Sequence, residues 1–399
     1  MTESSRLNPT ALDDVLRRAV DEGRVPGVAA IVTDRDGTIY EGAAGALHEG
    51  GPAVDARTIF RYASCTKALA SVAALQLYEQ GRFGLEDEVA TYLPEFGALQ
   101  VLDHFDGETP VLRAPSRPPV IRELLTHSTG VTYFFTNAKI ARFHEVTGTP
   151  HVLTGDRAAL TKVPLAADPG TVWDYGTNTD WLGLLVEQLS GQTLDAYLAE
   201  HVLGPLGMDD VTFAPSDEQR ARAMPIHMRT PDGGLAATEL DLPPAPDWWA
   251  GGHGLFGTAG AYARLIRALL RGGELDGQRI LREETVELAF SDHLAGVPMP
   301  PDGIRTAAPE FCNDVPALPF AQGWGLGFHL TLEDVPGMRR AGSGDWAGLF
   351  NLYYWIDRET GVGGMILTQV LPFFDAGVVQ AFVELEANVY AQVGAVEVA

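Results

Sequence analysis

The chain of 399 residues is 46% apolar, which is enough for a large core in one α/β unit that carries a second subdomain. Its formal net charge of −25 disfavours nucleic acid and anionic membranes as partners, because both are negatively charged. Cys65 and Cys312 are too few and too far apart to predict a disulfide framework or a thiolate metal site, and the ten histidines show no metal-ligand spacing. We therefore expect neither a metal nor a cofactor.

The amino terminus gives an expectation about location. Residues 1–6 lack the basic region and the apolar stretch of a secretory signal peptide. No run in the sequence approaches the roughly 20 apolar residues that a membrane-spanning helix needs. We therefore expect a cytoplasmic protein, which disfavours a role in building cell wall.

The first predicted elements are a helix and a hairpin. Residues 10–13 have the sequence Thr-Ala-Leu-Asp, a capping-box pattern, and apolar residues follow at helical spacing. Residues 28–33 are a short apolar run that predicts a strand, and Asp36-Gly37 predicts a tight turn into a second strand at residues 38–40. The expected order is helix, strand, turn, strand.

Ser64 and Lys67 form a Ser-x-x-Lys tetrad at the start of an apolar run that predicts a buried helix. Residues at i and i+3 share one helix face, so the lysine amine can contact the serine hydroxyl and help to remove its proton. Residues 68–77 are too apolar and too small for an exposed face, which predicts that Lys67 enters the interior. A buried charge is costly there unless it has partners, which favours a specific role for this lysine. Cys65 points about 100° away from Ser64 and is interpreted as a small buried residue.

Residues 86–214 show helical patterns separated by glycine and proline, which predict a mainly helical subdomain with helices at 121–130 and 180–189. Tyr175 lies before the second helix, in the segment 173–179. A tyrosine there could hydrogen-bond a hydroxyl nucleophile across a cleft, and a nearby ammonium would lower its pKa toward that of a general base. A packing tyrosine with a satisfied hydroxyl is the alternative interpretation.

Beyond residue 215 the patterns predict both strands and helices. The predicted strands are residues 324–331, 352–356 and 362–368, and the predicted helices are residues 262–270 and 377–393. Residues 297–320 contain many prolines and are expected to form a long loop. Residues 342–349 have a glycine-rich sequence before a strand, and such an edge lets a substrate reach the backbone N–H groups of an oxyanion site. A glycine-loosened hairpin explains these residues equally well.

These elements predict an α/β (α+β) fold, with an antiparallel sheet flanked by terminal helices and a mainly helical insertion. The expected sheet domain is discontinuous and comprises residues 8–85 and 215–399. The expected helical subdomain comprises residues 86–214, with the active site at the interface of the two.

The tetrad at Ser64, the tyrosine at position 175 and the glycine-rich edge together resemble the serine β-lactamase and penicillin-binding-protein superfamily. The similarity is closest to the class C-like branch and, within it, to the family VIII carboxylesterases. It covers nearly the whole chain, because further family-like phrases occur in the same order, at residues 25–27, 124–130, 203–208, 254–260 and 323–327. The resemblance implies the serine β-lactamase-like fold.

The resemblance also implies a role for each matching residue. Ser64 would attack an acyl carbon, and Lys67 would assist its deprotonation. Tyr175 would share the base role and then protonate the leaving alcohol. The backbone N–H groups of Ser64 and Leu349 would hold the oxyanion.

Two departures from the family motifs favour esters over β-lactams. Trp346-Ala-Gly348 stands where penicillin-directed members carry Lys-Thr-Gly, so the ammonium that meets a substrate carboxylate is missing. The family's Tyr-x-Asn becomes Tyr175-Gly-Thr177, with Asn178 one position late. Trp346, Gly348 and Asn178 are therefore the expected substrate-binding residues.

Two alternatives at the third motif stay open. An ungapped alignment places residues 342–344 opposite Lys-Thr-Gly in place of residues 346–348. Arg339 or Arg340 could supply a positive charge by another route, which would allow modest β-lactam hydrolysis.

The predicted function is a serine carboxylesterase that acts through an acyl-enzyme on Ser64, with acyl transfer as a further outcome. The expected partner is a small-molecule ester, and the oligomeric state is left open. The alternatives are a weak β-lactamase or D-amino-acid peptidase, and, from another class, a catalytically silent ligand-binding relative. A silent relative tends to lose the nucleophile or its base, whereas this chain retains both.

Overall fold

A seven-stranded antiparallel sheet forms the centre of the structure, a computed structural model that describes residues 7–241, 243 and 247–396. In chain order the strands are β1 (Gly27–Asp34), β2 (Thr38–Gly45), β3 (Gln322–Trp324), β4 (His329–Thr331), β5 (Gly344–Gly348), β6 (Leu352–Asp357) and β7 (Val362–Leu367). Their order across the sheet is β3-β4-β5-β6-β7-β1-β2. Residues 1–6, on which the expectation about a signal peptide depends, lie outside the described residues.

Five longer helices surround this sheet. They are α1 (Pro9–Asp21), α2 (Thr66–Glu79), α3 (Asn178–Ser190), α4 (Ala259–Leu270) and α5 (Ala376–Val396). The terminal helices α1 and α5 pack against each other, whereas α4 packs on β1, β6 and β7. The predicted antiparallel sheet with packed terminal helices is therefore confirmed. In the described part of the chain no helix combines the length and the apolar character that crossing a bilayer requires.

The side chains of β1 show why both faces of the sheet are covered. Successive side chains of a strand point to opposite faces. Val28, Ala30 and Val32 pack in the cluster of the terminal helices, whereas Ala29 and Ile31 pack in the larger core that contains α2 and α4. An uninterrupted apolar strand therefore results from burial on both sides.

Several predicted elements differ from the structure in their bounds: the helix predicted at residues 121–130, for example, ends at Leu125. Two of the differences have a clear local cause. The predicted strand at residues 324–331 is two short strands, β3 and β4, joined by a turn. Gly327 in that turn has φ +97°, a conformation that favours glycine, and an added Cβ would lie 2.2 Å from the Ser71 hydroxyl oxygen. Helix α1 begins at Pro9 and not at Thr10, because the Asn8 side chain caps it by accepting a hydrogen bond from the Thr10 N–H.

The segment 86–214 contains mainly helices, as predicted, but it also contains a hairpin that the sequence patterns did not predict. The hairpin strands are Val101–Asp106 and Thr109–Arg113, and the additional helices are Pro94–Gly97, Ile121–Leu125, Ala138–Thr147, Ala158–Thr161 and Leu194–Leu198. After this segment the short helices are Asp217–Ala221 and Glu283–Ala289. The short paired strands outside the main sheet are Phe60–Arg61 with Phe256–Gly257, Glu274–Leu275 with Gln278–Arg279, and His227–Arg229 with Leu235–Ala237 and Val370–Leu371. The division into two domains remains a prediction.

Candidate active site

Ser64 lies in a helical turn, residues 63–65, that leads directly into α2. The preceding residue, Ala63, has φ +45°, an uncommon conformation for a residue with a side chain. Tyrosines on both sides fix the turn: the Tyr62 hydroxyl donates to the Thr258 carbonyl oxygen at 2.6 Å, and the Tyr262 hydroxyl donates to the Cys65 carbonyl oxygen at 2.9 Å. The turn therefore holds the Ser64 hydroxyl in one position.

Lys67 is buried, as the apolar residues that follow it predicted. The three hydrogen-bond partners of its amine are all oxygen atoms. Its Nζ lies 3.3 Å from Ser64 Oγ, 3.0 Å from Tyr133 Oη and 2.8 Å from the Gly252 carbonyl oxygen. A neutral amine has two N–H groups and one lone pair. As an ammonium, Lys67 can donate to all three oxygens; as a neutral amine, it can donate to Gly252 and Tyr133 and accept the Ser64 proton with its lone pair. The three contacts are therefore compatible with the uncharged form.

The electrostatics of the Lys67 site also favour the neutral amine. Burial lowers the pKa of Lys67 to about 7, because removing the ammonium from water costs more than its neighbours return. The Asp180 carboxylate acts in the opposite direction and raises this pKa. Near neutral pH a large fraction of the lysine is therefore a free base.

Tyr133 and Asp180 form a second layer around the amine, and the sequence patterns did not assign either residue a role in catalysis. The Tyr133 hydroxyl accepts from Lys67 and donates to Asp180 Oδ2 at 3.5 Å. Asp180 is fully buried, and its Oδ1 accepts from the Gly252 N–H at 2.7 Å. The available signal was an acidic residue directly before the apolar residues 181–186 of α3, since a buried carboxylate needs partners.

Tyr175 also lies beside the nucleophile, in the wall of the same cavity. Its hydroxyl interacts with Ser64 and accepts from the indole N–H of Trp346 at 3.0 Å. Burial raises the pKa of Tyr175 far above its ordinary value, although both of these contacts lower it. The Lys67 amine lies over the ring, 4.7 Å from its centre. The expected lowering of the Tyr175 pKa by an ammonium is therefore wrong, because desolvation dominates.

Strand β5 brings the third predicted motif to the site. It pairs with β4 through Gly344 and Asp345, so residues 346–348 continue beyond the end of that ladder. An added Cβ on Gly348 would lie 2.5 Å from the Tyr62 carbonyl oxygen, which shows how closely β5 approaches the Ser64 turn. Leu349 follows directly and shares a cavity wall with Ser64. Residues 346–348, and not 342–344, therefore lie beside the tyrosine.

Asn178 lies away from the other predicted substrate-binding residues. It is fully buried at the start of α3. Its side chain accepts from Thr129 at 2.5 Å and donates to His127 Nδ1 at 3.1 Å and to the Val131 carbonyl oxygen at 3.3 Å. These contacts join the segment 173–179, which carries Tyr175, to residues 127–131. The Asn178 amide therefore stabilises this segment.

The two arginines near the third motif are both engaged in ion pairs. Arg339 is buried and binds both carboxylate oxygens of Glu386, at 2.7 and 2.6 Å, and it also pairs with Asp345. Arg340 pairs with Asp334 at 2.9 Å. Meeting a substrate carboxylate would require either arginine to give up these partners.

A cavity of about 410 Å³ opens beside the nucleophile. Ser64, Tyr175 and Trp346 lie in its wall together with aromatic and aliphatic side chains, including Phe135 and Trp173. Its size is in the range of small-molecule sites, which are mostly apolar with a few placed polar groups. The hydroxyl and the phenol therefore lie in the wall of an apolar cavity, and the amine contacts the hydroxyl from outside this wall.

Comparisons with known proteins show the family to which the chain belongs. Residues 12–388 match the family model described as Beta-lactamase. Lovastatin esterase from Penicillium rubens is 30% identical over 90% of this chain and 93% of its own length. Monacolin J acid methylbutanoyltransferase from Aspergillus terreus is 30% identical over 96% of this chain and 95% of its own.

A solved structure shows the same likeness in three dimensions. The LovD6 mutant of simvastatin synthase from Aspergillus terreus superimposes with a TM-score of 0.82 at 29% identity, covering 96% of this chain and 97% of that one. The resemblance to the β-lactamase and penicillin-binding-protein superfamily is thereby confirmed, whereas the closer relation to family VIII carboxylesterases remains a prediction. The chain belongs to the Beta-lactamase family and is an enzyme whose relatives are esterases and acyltransferases.

Proposed function

We propose that this chain is a serine carboxylesterase that cleaves small-molecule esters through an acyl-enzyme on Ser64. The observation that supports this most is the placement of Ser64 Oγ 3.3 Å from a buried amine and beside the buried Tyr175 phenol in the cavity wall. Near pH 7 the phenol is neutral and a large fraction of the amine is uncharged. An amine is then available as a base and a phenol as an acid beside one nucleophile.

Acylation follows from these contacts. Ser64 Oγ forms a bond to the ester carbonyl carbon while its proton moves to the Lys67 amine. The bond to the alcohol oxygen breaks, and Tyr175 gives its proton to that oxygen. The Lys67 ammonium then returns a proton to the phenolate, which restores both groups.

Deacylation uses the same groups with water as the nucleophile. Lys67 takes the Tyr175 proton, and the resulting phenolate takes a proton from the water as its oxygen attacks the acyl carbon. The bond from the acyl carbon to Ser64 Oγ breaks, and the Lys67 ammonium gives its proton to that oxygen. The N–H groups of Ser64 and Leu349 would hold the negative oxygen in both steps. Losing one such donor typically costs about 2.7–4 kcal/mol of transition-state stabilisation.

The third motif supports esters over β-lactams. At the position of the family's lysine, Trp346 directs its indole N–H to Tyr175, and Arg339 and Arg340 are occupied by carboxylates. A substrate carboxylate would be left without a committed positive partner, and an uncharged ester needs none. Weak β-lactamase or peptidase activity is therefore the less favoured reading.

Acyl transfer is a second candidate function. The apolar wall of the cavity favours an organic alcohol over water as the acceptor from the acyl-enzyme. The similarity to a methylbutanoyltransferase points the same way. Esterase and transferase share every step except the acceptor in the second half of the reaction.

The test is intact-mass spectrometry after treatment with a fluorophosphonate. We expect one adduct in the wild-type chain and none in Ser64→Ala. Short p-nitrophenyl esters should then be hydrolysed much faster than the β-lactam nitrocefin. Absence of the adduct would indicate a silent ligand-binding relative, and a preference for nitrocefin would overturn the assignment of the edge strand.

A further inference from the structure

Two cavities of very different size meet at the nucleophile. The larger has a volume of about 410 Å³ and the smaller about 20 Å³. Ser64, Phe135 and Leu349 lie in the walls of both, so a group bound to Ser64 has access to either. The smaller cavity has room for about one water molecule, or a group of methyl size.

The residues around the smaller cavity are mostly buried. This cavity is bounded by Ala63 from the nucleophile turn, by Tyr133 and Leu153 from the helical segment, and by His253 and Phe350 from the other side of the cleft. Leu153 alone of these five is partly exposed; the others are buried. The size of this cavity is therefore set mainly by side chains that cannot move aside without disturbing the core.

The larger cavity extends beyond the nucleophile and around the free edge of β5. Trp346 lines it on the sheet face that bears Ser64, while Tyr353 and Phe382 line it on the opposite face, beside α5. Because the ladder with β4 ends at Asp345, no neighbouring strand of the described sheet closes this passage. A bulky apolar group fits here, whereas the smaller cavity excludes one.

Resting on the proposed function, we infer that the two cavities divide the ester between them. The larger cavity takes the alcohol part and the smaller cavity takes the acyl chain. The substrate class is therefore esters that join a short acyl group to a bulky apolar alcohol.

The position of Tyr175, the proton donor, decides which cavity takes the alcohol part of the ester and which takes the acyl part. When the bond from the acyl carbon to the alcohol oxygen breaks, that oxygen receives the Tyr175 proton. Tyr175 lies in the wall of the larger cavity, whereas the described wall of the smaller cavity is formed by other residues. The alcohol oxygen must therefore face the larger cavity, and the acyl chain, which stays on Ser64, is directed toward Leu153 and Phe350.

The test compares two substrate series by kcat/KM. p-Nitrophenyl acetate, butyrate and octanoate vary the acyl chain, and ethyl, phenyl and 1-naphthyl acetate vary the alcohol. In the wild-type enzyme octanoate should fall at least about 10-fold below acetate, since each misfitting methylene in a pocket is worth about 10–200-fold. The naphthyl ester should exceed not only the ethyl ester but also phenyl acetate, a smaller aryl ester whose leaving group is similar to naphthol.

Two variants at one position change the smaller cavity in opposite directions. Leu153→Ala enlarges it and should raise the octanoate-to-acetate ratio at least about 10-fold. Leu153→Phe fills it and should lower the butyrate-to-acetate ratio. Leu318→Ala is the matched control, because Leu318 lines the larger cavity and is 36% exposed; it should change the alcohol series and leave the acyl ratio unchanged.

The outcomes separate this inference from the function on which it rests. A wild-type enzyme that prefers octanoate, or Leu153 variants that shift the alcohol series in place of the acyl series, would overturn the division of the substrate. Failure to hydrolyse any of these esters, together with no fluorophosphonate adduct on Ser64, would overturn the proposed function itself.

Discussion

The two groups beside Ser64 are buried to the same degree, and burial moves their pKa values in opposite directions. The Lys67 amine loses affinity for its proton, and its pKa falls to about 7. The Tyr175 phenol holds its proton more tightly, and its pKa rises. The cause is the same in both cases, because a low-dielectric interior disfavours the charged form of either group.

This comparison shows how one environment supplies both a base and an acid. A neutral amine can accept the Ser64 proton, and a neutral phenol can donate to a leaving alkoxide. The partners differ accordingly: Asp180 lies behind Tyr133 on the amine side, whereas the Trp346 indole N–H faces the phenol oxygen. The predictions below test whether the two sides really have separate tasks.

The largest effect is expected on the amine side. Lys67→Ala removes the base for every ester and should lower the acylation rate by about 10²–10⁴-fold, whatever the leaving group. Burst-phase kinetics with p-nitrophenyl acetate and with an alkyl acetate measure this rate. Circular dichroism checks that the variant is folded. More than about a tenth of the activity remaining would contradict the base role.

On the phenol side the loss should depend on the leaving group. Tyr175→Phe should lower the rate about 10²-fold for alkyl acetates, whose alkoxide needs a proton, and much less for p-nitrophenyl acetate, whose phenolate leaves unaided. Comparing kcat/KM for the two esters gives the difference. Equal losses would mean that Tyr175 is a base and not an acid, and would remove the contrast between the two sides.

A smaller effect is expected for the indole that contacts the phenol. Trp346→Phe removes the hydrogen bond to Tyr175 and should lower kcat about 5–10-fold, the value of roughly one hydrogen bond to a reacting group. Trp173→Phe is the matched control. Trp173 lines the same cavity, and its buried indole nitrogen has no hydrogen-bond partner among the described residues. Equal losses in the two variants would indicate lost packing and not a lost hydrogen bond.

The smallest change in maximal rate, but a distinct shift in pH dependence, is expected at Asp180. Activity requires neutral Lys67, so it should rise as the pH rises through about 7. The Asp180 charge favours the ammonium, so Asp180→Asn should lower the Lys67 pKa further. The rising limb of the pH–activity profile should then move to lower pH, by roughly one unit. The other groups around the amine, Cys65, Tyr133 and Tyr175, stay neutral because burial raises their pKa values.

Asp174→Asn is the control for this pH profile. Burial raises the pKa of Asp174 to about 6, so this carboxyl could produce a limb of its own. It contacts Thr132 and Asn137, and not Lys67. The limb near pH 7 should therefore persist in this variant. Its loss would assign the titration to Asp174.

The sequence was informative where chemistry and local structure coincide. The spacing of Ser64 and Lys67 is a property of one helix, and the apolar residues after it predict that the lysine is buried. The apolar run of β1 and the turn before β2 are likewise local signals. For these elements, prediction and structure agree closely.

The rest of the site depends on contacts between distant parts of the chain. The hydrogen bond from Trp346 to Tyr175 joins residues 171 positions apart, and no periodicity in either segment encodes it. The direction of the Tyr175 pKa depends on how completely neighbouring loops exclude water. Asn178 was predicted as a substrate contact from its position next to the Tyr-x-Asn motif. Its burial depends on contacts with His127 and Thr129, which lie about 50 positions earlier and which the sequence pattern does not show.

The pH dependence of fluorophosphonate labelling at Ser64 tests the central claim most directly, because labelling requires the nucleophile and its base but no particular alcohol. The labelling rate, followed by intact mass, should be half-maximal near pH 7, fall about tenfold per pH unit well below that value, and vanish in Ser64→Ala. A rate that stays constant from pH 5 to 9, or an adduct that persists in Ser64→Ala, would contradict a neutral lysine acting on this serine.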